Sequence, residues 1–390
     1  MNPLRPALRD LVRVVRREEA RLRPGHLGWA LAPLLLFLLL GALYARHQAR
    51  DLPVGVLDLD RSVLSRQVVR ALDATPSLAV TRSVASLEEG LDDLRAGRIL
   101  GLFELSAGTM SALQAGRPAG VGLYRNTSNL VVGNLLLKDG SAALRTLSLG
   151  IALRRQQALG AGASAATRVQ PLRLDARSLH NPATDYEFFL VPGLLGALLF
   201  MLALLDGVGA CSDERARGTL PDLLRAGGDR PLPALLGKAL PHLLRQALLA
   251  VLLLALVFPL FGIGSRSPWP LLLGWLVLFQ WTTLGLACAL GLWLPSRLLA
   301  LEAAVFLGTP AFIFSGYTFP LEAMPVLHRV FARLLPSTPF LEGFIALYQK
   351  GAGAGTLAGP LLQLLGFAGL GWGASLWGLR RGAALREDAR

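Results

Sequence analysis

The sequence predicts an α-helical polytopic membrane protein with six transmembrane helices and an α/β domain inserted after the first of them. Of 390 residues, 53% are hydrophobic and 17% charged, and a mean hydropathy of +0.49 does not describe a soluble chain. The apolar residues also collect into runs near bilayer length. Between the first run and the second, residues 46–186 change to the composition of a soluble domain.

Residues 1–27 carry Leu4, Leu11, Val12, Val15 and Leu22 at roughly helical spacing among arginines. They read as an interfacial amphipathic helix, with a solvated basic tail as the alternative, since Pro3 and Pro6 interrupt the start. Residues 28–45 are almost uncharged and, at about 18 residues, near the lower limit for crossing a bilayer. A cleavable signal would have a short basic region and a small-x-small site after the apolar core. Here a long basic segment precedes the core and Leu43-Tyr44-Ala45-Arg46 follows it, so the run reads as an uncleaved signal anchor.

Within 46–186, Pro53 to Leu59 reads as a strand and Ser62 to Ala74 as a helix with Val63, Leu64, Val68 and Leu72 at apolar positions. The alternation continues with a strand near Leu78 to Thr81, a helix Leu87 to Ala96, a strand Ile99 to Leu105, a short helix Met110 to Gln114, a strand Val121 to Tyr124 and a long helix from Asn129 to Leu159. Strands separated by helices imply α/β crossovers and a largely covered sheet. Asp60 and Ser62 are expected to cap a helix rather than to hold a metal with Asp58. Gly160 to Thr167, rich in Gly, Ala and Ser, reads as a flexible connection back to the membrane.

Residues 187–379 are assigned to the remaining five spans: the helix of the Asn181 to Ala210 stretch, with Asn181-Pro182 as its outer lead-in, then Leu240 to Phe261, Pro270 to Leu294, Leu298 to Gly316 and Leu357 to Leu379. Between the last two, residues 317–345 are too apolar for an ordinary loop and too proline-rich for one helix. Ser315, Gly316, Pro320, Pro325 and Pro336 mark this stretch as short re-entrant or interfacial helices on the outer side. Arginines gather before the first span, after the second (Arg215, Arg217, Arg225, Arg230) and in the tail 380–390 (Arg380, Arg381, Arg386, Arg390). The positive-inside rule places all three clusters in the cytoplasm, with both termini, and the α/β domain outside. Abundant Arg, Leu and Ala with few Lys suggests a GC-rich bacterial genome, hence a multi-pass protein of the bacterial inner membrane with a periplasmic domain.

The net charge of +13 is thereby an orientation signal, and no basic stripe interleaved with aromatic residues offers a nucleic-acid groove. The two cysteines, Cys211 and Cys288, fall outside the periplasmic segment, and the five histidines (His26, His47, His180, His242, His328) show no metal spacing. Gly237-Lys238-Ala239 lacks the hydroxyl and upstream glycine of a phosphate loop. No cofactor is expected in this chain. Asp206, Arg245 and Glu302 lie near span ends, where ion pairing is a better expectation than substrate contact. Gln280, Thr282 and Thr283 sit nearer mid-membrane and either bond between helices or line a path.

After the second span, within the connection 211–239, come Glu214, Arg215 and Arg217, then Gly218-Thr219, then an amphipathic group Leu220, Leu223, Leu224. Such a segment can seat in the groove of a soluble partner, with its charges fixing the register. A plain charged loop is the alternative. The order of parts resembles the permease subunits of ABC-2 type exporters, and of the large-loop multidrug or lipid exporters among them, over nearly the whole chain. The resemblance is carried by Pro192-Gly193-Leu194-Leu195-Gly196 entering the second span, the acidic-Gly-Thr pattern of Glu214, Gly218 and Thr219, Val54 to Ser62 at the start of the outer domain, Tyr124 to Asn129 before the long helix, and the Ser315 to Pro325 and Pro336 to Phe340 stretches. Pro221 stands where a second acid is usual, leaving Asp222 as the available cap.

The resemblance implies a transport subunit rather than an enzyme, exporting a hydrophobic or amphipathic compound such as a drug or lipid-like molecule. ATP and magnesium would be bound by a separate cytoplasmic ATPase dimer docked on the Glu214 to Leu224 loop. A second permease subunit, identical or not, would complete the pathway, and a periplasmic adaptor with an outer-membrane channel would extend it. A membrane-anchored periplasmic binding or assembly protein is the rival reading.

Overall fold

The computed structural model describes residues 4–22, 26–44, 50–114, 120–125, 130–158, 186–260, 264–351 and 354–387. The chain divides into two compact units, residues 46–178 and residues 1–45 with 179–390. The Gly160 to Thr167 connection, Asn126 to Asn129 and Asn181-Pro182 lie outside the described residues.

The first unit follows the alternation read from the sequence. Its elements are β1 (Leu52–Asp58), α3 (Val63–Asp73), β2 (Leu78–Ser83), α4 (Leu87–Arg95), β3 (Gly101–Leu105), α5 (Thr109–Gln114), β4 (Val121–Arg125) and α6 (Leu130–Ala158). The sheet order is β2-β1-β3-β4, with β1 parallel to β2 and β3, while β4 runs antiparallel to β3. Helical crossovers join the parallel strands, as crossover geometry requires. Central β1 and β3 are buried along nearly their whole length, and the edge strands β2 and β4 are only partly covered. Ser62 caps α3 through its Oγ, which accepts from Ser65 N at 3.1 Å. Asp58 does the neighbouring work, accepting from the backbone of Asp60 at 3.1 Å and Arg61 at 2.8 Å and from the Ser65 hydroxyl at 2.7 Å.

The second unit is helical: α1 (Leu4–Leu22), α2 (His26–Tyr44), α7 (Tyr186–Ala216), α8 (Leu220–Ala226), α9 (Pro231–Leu252), α10 (Trp269–Trp293), α11 (Arg297–Phe314), α12 (Val326–Arg333), α13 (Ser337–Ile345) and α14 (Ala354–Glu387). A π-helical turn, Leu253–Val257, carries α9 on to Leu260. Five helices among the described residues are long and apolar enough to cross a membrane, and the count reaches six if the pair α12 and α13, bent by 85°, forms one broken span. Residues 26–44 form a further apolar helix, containing no Asp, Glu, Lys or Arg. Proline stands inside α2, α7, α9, α11 and α14. Membrane helices tolerate it because neighbouring groups re-satisfy the freed carbonyls.

The stretch 211–239 is mostly helix rather than loop. Helix α7 continues to Ala216 and α9 starts at Pro231, leaving 217–230 as the connection. The charges that end the apolar run in the sequence are neutralised by tertiary partners, so hydropathy does not mark the helix ends here.

Helix α10 is the centre of the unit, packing on α7 and α14. Its aromatic side chains meet those of α7 and α13 in a column: Phe200 and Phe279 with ring centroids 5.6 Å apart, Phe279 and Phe340 at 3.8 Å, Phe340 and Phe344 at 5.4 Å, and Phe344 and Tyr348 at 5.9 Å. Of the proline-rich element, therefore, α13 is core: Ser337 through Leu341 is buried, and the Trp275 indole donates to the Phe340 carbonyl at 2.9 Å. Helix α12 is half outside, with Val326 and Leu327 exposed. Gly316, at φ +83°, makes the turn before it.

Gly343 admits the Trp275 ring; a Cβ there would lie 2.1 Å from Cζ2. Gly343→Ala is expected to lower stability by about 1–3 kcal/mol through overpacking, read as an earlier thermal transition in detergent. Gly373→Ala, where a Cβ would meet nothing within 4 Å, serves as the silent control.

Candidate functional site

The polar residues of the helical unit converge where α1, α7 and α9 meet. Helix α1 turns Arg9 and Arg16 outward and Val14 and Glu18 inward, the latter two buried. It approaches α9 closely because residue 237 is glycine: a Cβ there would stand 2.7 Å from the Cβ of Val14. At the contact, Lys238 Nζ lies 2.8 Å from Glu18 Oε2 and 3.2 Å from Glu214 Oε1. Lys238 and Glu214 are each 1% exposed. Arg17, with Nη2 at 3.2 Å, and Arg21 complete the shell around Glu214, and the Thr219 hydroxyl donates to the same carboxylate.

The network continues inward. His242 Nε2 lies 3.1 Å from Glu18 Oε1, and its Nδ1 stands 3.0 Å from Asp206 Oδ2 without hydrogen-bond alignment. Asp206 pairs with Arg245, whose guanidinium lies 4.3 Å over the Trp29 ring, and accepts from Gln246 Nε2 at 3.3 Å. Gln280 Nε2 donates to the Gln246 carbonyl at 3.1 Å. A polar chain thus joins the middle of α10 to α1 and to the end of α7. Charges removed from water are tolerated only in such mutually paired sets.

Of the three residues expected to form ion pairs, Asp206 and Arg245 pair with each other, both side chains being nearly buried. Glu302 is exposed on α11 and joins neither. Gln280, Thr282 and Thr283 are all fully buried. Gln280 bonds between helices. The hydroxyls of Thr282 and Thr283 donate to carbonyls of their own helix at 2.8 and 2.9 Å, and the Thr282 hydroxyl also reaches the Leu364 carbonyl of α14 at 3.4 Å.

The residues read as a docking segment divide between inside and outside. Glu214 is wholly interior, because four groups of its own chain surround it. Leu220 and Leu223 are buried with Val14, Leu235 and Leu379, and Leu224 is half-buried. The apolar face expected to seat in a partner is therefore spent on the chain's own helices. Gly218 adopts φ +72° and ends α7, with Thr219 N bonded to Glu214 O at 2.9 Å. Helix α8 has no side-chain cap. Thr219 is committed to Glu214, Asp222 pairs with Arg225, and Pro221 needs no acceptor for an N–H. The exposed side chains of 217–230 that carry charge are Arg217, Asp222, Arg225, Asp229 and Arg230. Arg215 is half-buried, and Asp213 holds Arg297 of α11 at 2.6 Å.

The Lys238 and His242 partners were not legible in the sequence, since a lone Lys and His in an apolar run read as interruptions. The one available signal is that two cations a helical turn apart, at i and i+4, share a face.

A bundle of apolar spanning helices with an α/β insertion and a charged connection between α7 and α9 defines a multi-pass membrane protein of transporter type. The chain belongs to the ABC-2 transporter family: the model described as "ABC-2 family transporter protein" matches residues 30–377. Among its relatives, the probable multidrug ABC transporter permease YbhR of Escherichia coli is 27% identical over 200 residues, 49% of this chain and 52% of that protein, so the match spans about half the length of YbhR. YbhS of the same organism, also a probable multidrug permease, is 25% identical over 363 residues, 88% of this chain and 91% of that one. The linearmycin resistance permease protein LnrN of Bacillus subtilis is 22% identical over 370 residues, covering 90% and 93%.

Lys238→Met leaves Glu18 and Glu214 buried without their shared cation and is expected to cost about 3–5 kcal/mol, measured by thermal unfolding in detergent. Burial alone would raise the Glu18 carboxyl, but the hydrogen bond of His242 and the charge of Lys238 outweigh it and hold the pKa at about 2, below its ordinary 4.5. A depressed carboxylate stabilises the fold above its unfolded pKa, and that contribution is lost as pH falls through the folded value. Stability is therefore expected to drop between about pH 4.5 and about pH 2, with a shallower drop in Glu18→Gln.

Proposed function

We propose that this chain is the permease subunit of an ATP-driven exporter in the bacterial inner membrane, with both termini cytoplasmic and residues 46–186 in the periplasm. The observation that carries the reading is the division of the α7–α9 connection. Its inner side is fixed to α1 and α9 by the ion network, and its outer side offers Arg217, Asp222, Arg225, Asp229 and Arg230 to a partner. A charged surface on a rigid mount suits docking in which electrostatics set the register. The partner is a cytoplasmic ATPase dimer that binds ATP and magnesium. Glu214, Thr219, Leu220 and Leu223 act from within, holding the surface and passing its displacement to α1 and α9.

Two permease subunits, identical or paired with a second type, form the pathway. The cargo is a hydrophobic or amphipathic compound, a reading supported by the multidrug and linearmycin-resistance names of the relatives. A periplasmic adaptor and outer-membrane channel would engage residues 46–186. ATP binding in the partner shifts the permease between two conformations to the extent that docking differs between them.

Detergent-solubilised protein drawn from its native host is expected to bring an ATP-binding subunit with it. Arg217→Glu/Arg225→Glu, both changes being exposed, should lower that recovery by about tenfold, equivalent to 1.4 kcal/mol, while leaving the thermal transition of the permease in place. Wild-type protein that recovers no ATP-binding chain would refute the reading.

A further inference from the structure

Among the described residues of the candidate spans, Asp206, Asp213, Glu214 and Glu342 each have a basic partner. Glu302 has neither an ion pair nor a hydrogen bond among those residues. It is the sixth residue of α11, ~8 Å along the axis from the helix start at 1.5 Å per residue. The nearest cation on its helix, Arg297, is engaged by Asp213 at 2.6 Å.

The packing of α11 fixes where this carboxylate points. Ala300, Ala304, Gly308 and Ala311 form its buried face, and a Cβ on Gly308 would stand 2.7 Å from the Met201 methyl of α7. Small residues at this spacing let two helices approach closely and set their rotation. Glu302 is thereby turned away from α7, on the side that exposes Leu298, Val305, Phe306 and Ile313 by 68%, 46%, 74% and 60%. The only other polar group on this face, the Thr309 hydroxyl, donates to the Val305 carbonyl at 2.8 Å. An unpaired carboxylate is costly within a membrane and is retained where it faces a water-filled path or a cation.

We infer that this face of α11 is a recognition site for a hydrophobic monovalent cation, an amphiphilic amine or onium compound. Glu302 takes the charge, and Leu298, Phe306 and Ile313 take the apolar body. The Phe306 ring adds the attraction of an aromatic face for a cation, and the low dielectric strengthens the carboxylate contact. The inference rests on the permease reading and narrows its cargo to cations.

The test is equilibrium binding of radiolabelled tetraphenylphosphonium to the full-length purified chain, beside tetraphenylborate, an anion of the same shape. Glu302→Gln is expected to weaken phosphonium binding tenfold or more and to leave borate binding equal or tighter, while Glu302→Asp keeps part of the phosphonium affinity. Wild type that binds no phosphonium saturably, or phosphonium binding equal in Glu302→Gln, overturns the inference and leaves the face to lipid or to a second copy of the chain. Equal loss of both ions overturns it as well, since that reports altered packing. Recovery of the ATPase in the same preparations reads the permease assignment separately: with the ATPase bound and the phosphonium insensitive to Glu302, only the cation site falls.

Discussion

The cytoplasm-facing architecture proposed here depends on one ammonium group. Lys238 of α9 is buried between Glu18 and Glu214, and without it two carboxylates would face each other in a medium that cannot solvate them. The pairing decides several things together. It docks α1 against α9, it lets α7 run on past the apolar segment to Ala216, and it pins the start of the connection to α9. Buried ion sets contribute little net stability compared with apolar packing, but they penalise every alternative arrangement. A helix that seats in only one register suits an element that must transmit a displacement.

A second constraint is steric. Helix α10 is surrounded, and its neighbours reach it through residues that have given up side chain: Gly343 against Trp275, Gly207 against Ala287, Gly371 against the α10 backbone. The aromatic column from Phe200 to Tyr348 fills the space that these close approaches define. Interiors packed to this density respond to force by shifting as units rather than by deforming. The ion network and the aromatic column share α7, which carries Asp206 and Glu214 as well as Phe200, so in the proposed assembly a push on the connection would reach the proline-rich element through packed contacts. Gln280, bonded to the Gln246 carbonyl, is where the two systems touch.

By contrast, α11 is held on one side only. Its alanine and glycine face meets α7, and its other face, with Phe306 and Glu302, is left uncovered by the described residues of this chain. In the proposed assembly this is the helix left to meet cargo. Its ionic link to α7 is the Arg297 to Asp213 pair, one residue from Glu214, so the proposed docking segment and the open face share an anchor.

Much of this was legible in the sequence. Hydropathy located the long apolar helices, five of which among the described residues have the length and composition of a span, and period-2 and period-3.6 patterns located every strand and helix of the α/β unit to within about two residues, because local patterning there coincides with burial. Ser62 was recognisable as a cap, although the turn belonged to Asp58. Ion pairing among Asp206, Arg245 and Glu302 was expected from depth alone, and of these Asp206 and Arg245 pair. The sequence could not say that Glu214 and Leu223 face inward, that α7 and α9 are continuous through charged residues, or that the prolines of 317–345 admit a buried α13. Those outcomes belong to tertiary structure, because a charge reads as exposed until a partner some 200 positions away, as Glu18 is from Lys238, removes the cost of burying it. Composition and period fix what each segment prefers by itself; only the packed fold decides which polar groups find each other, and so which are left, like Glu302, for something else.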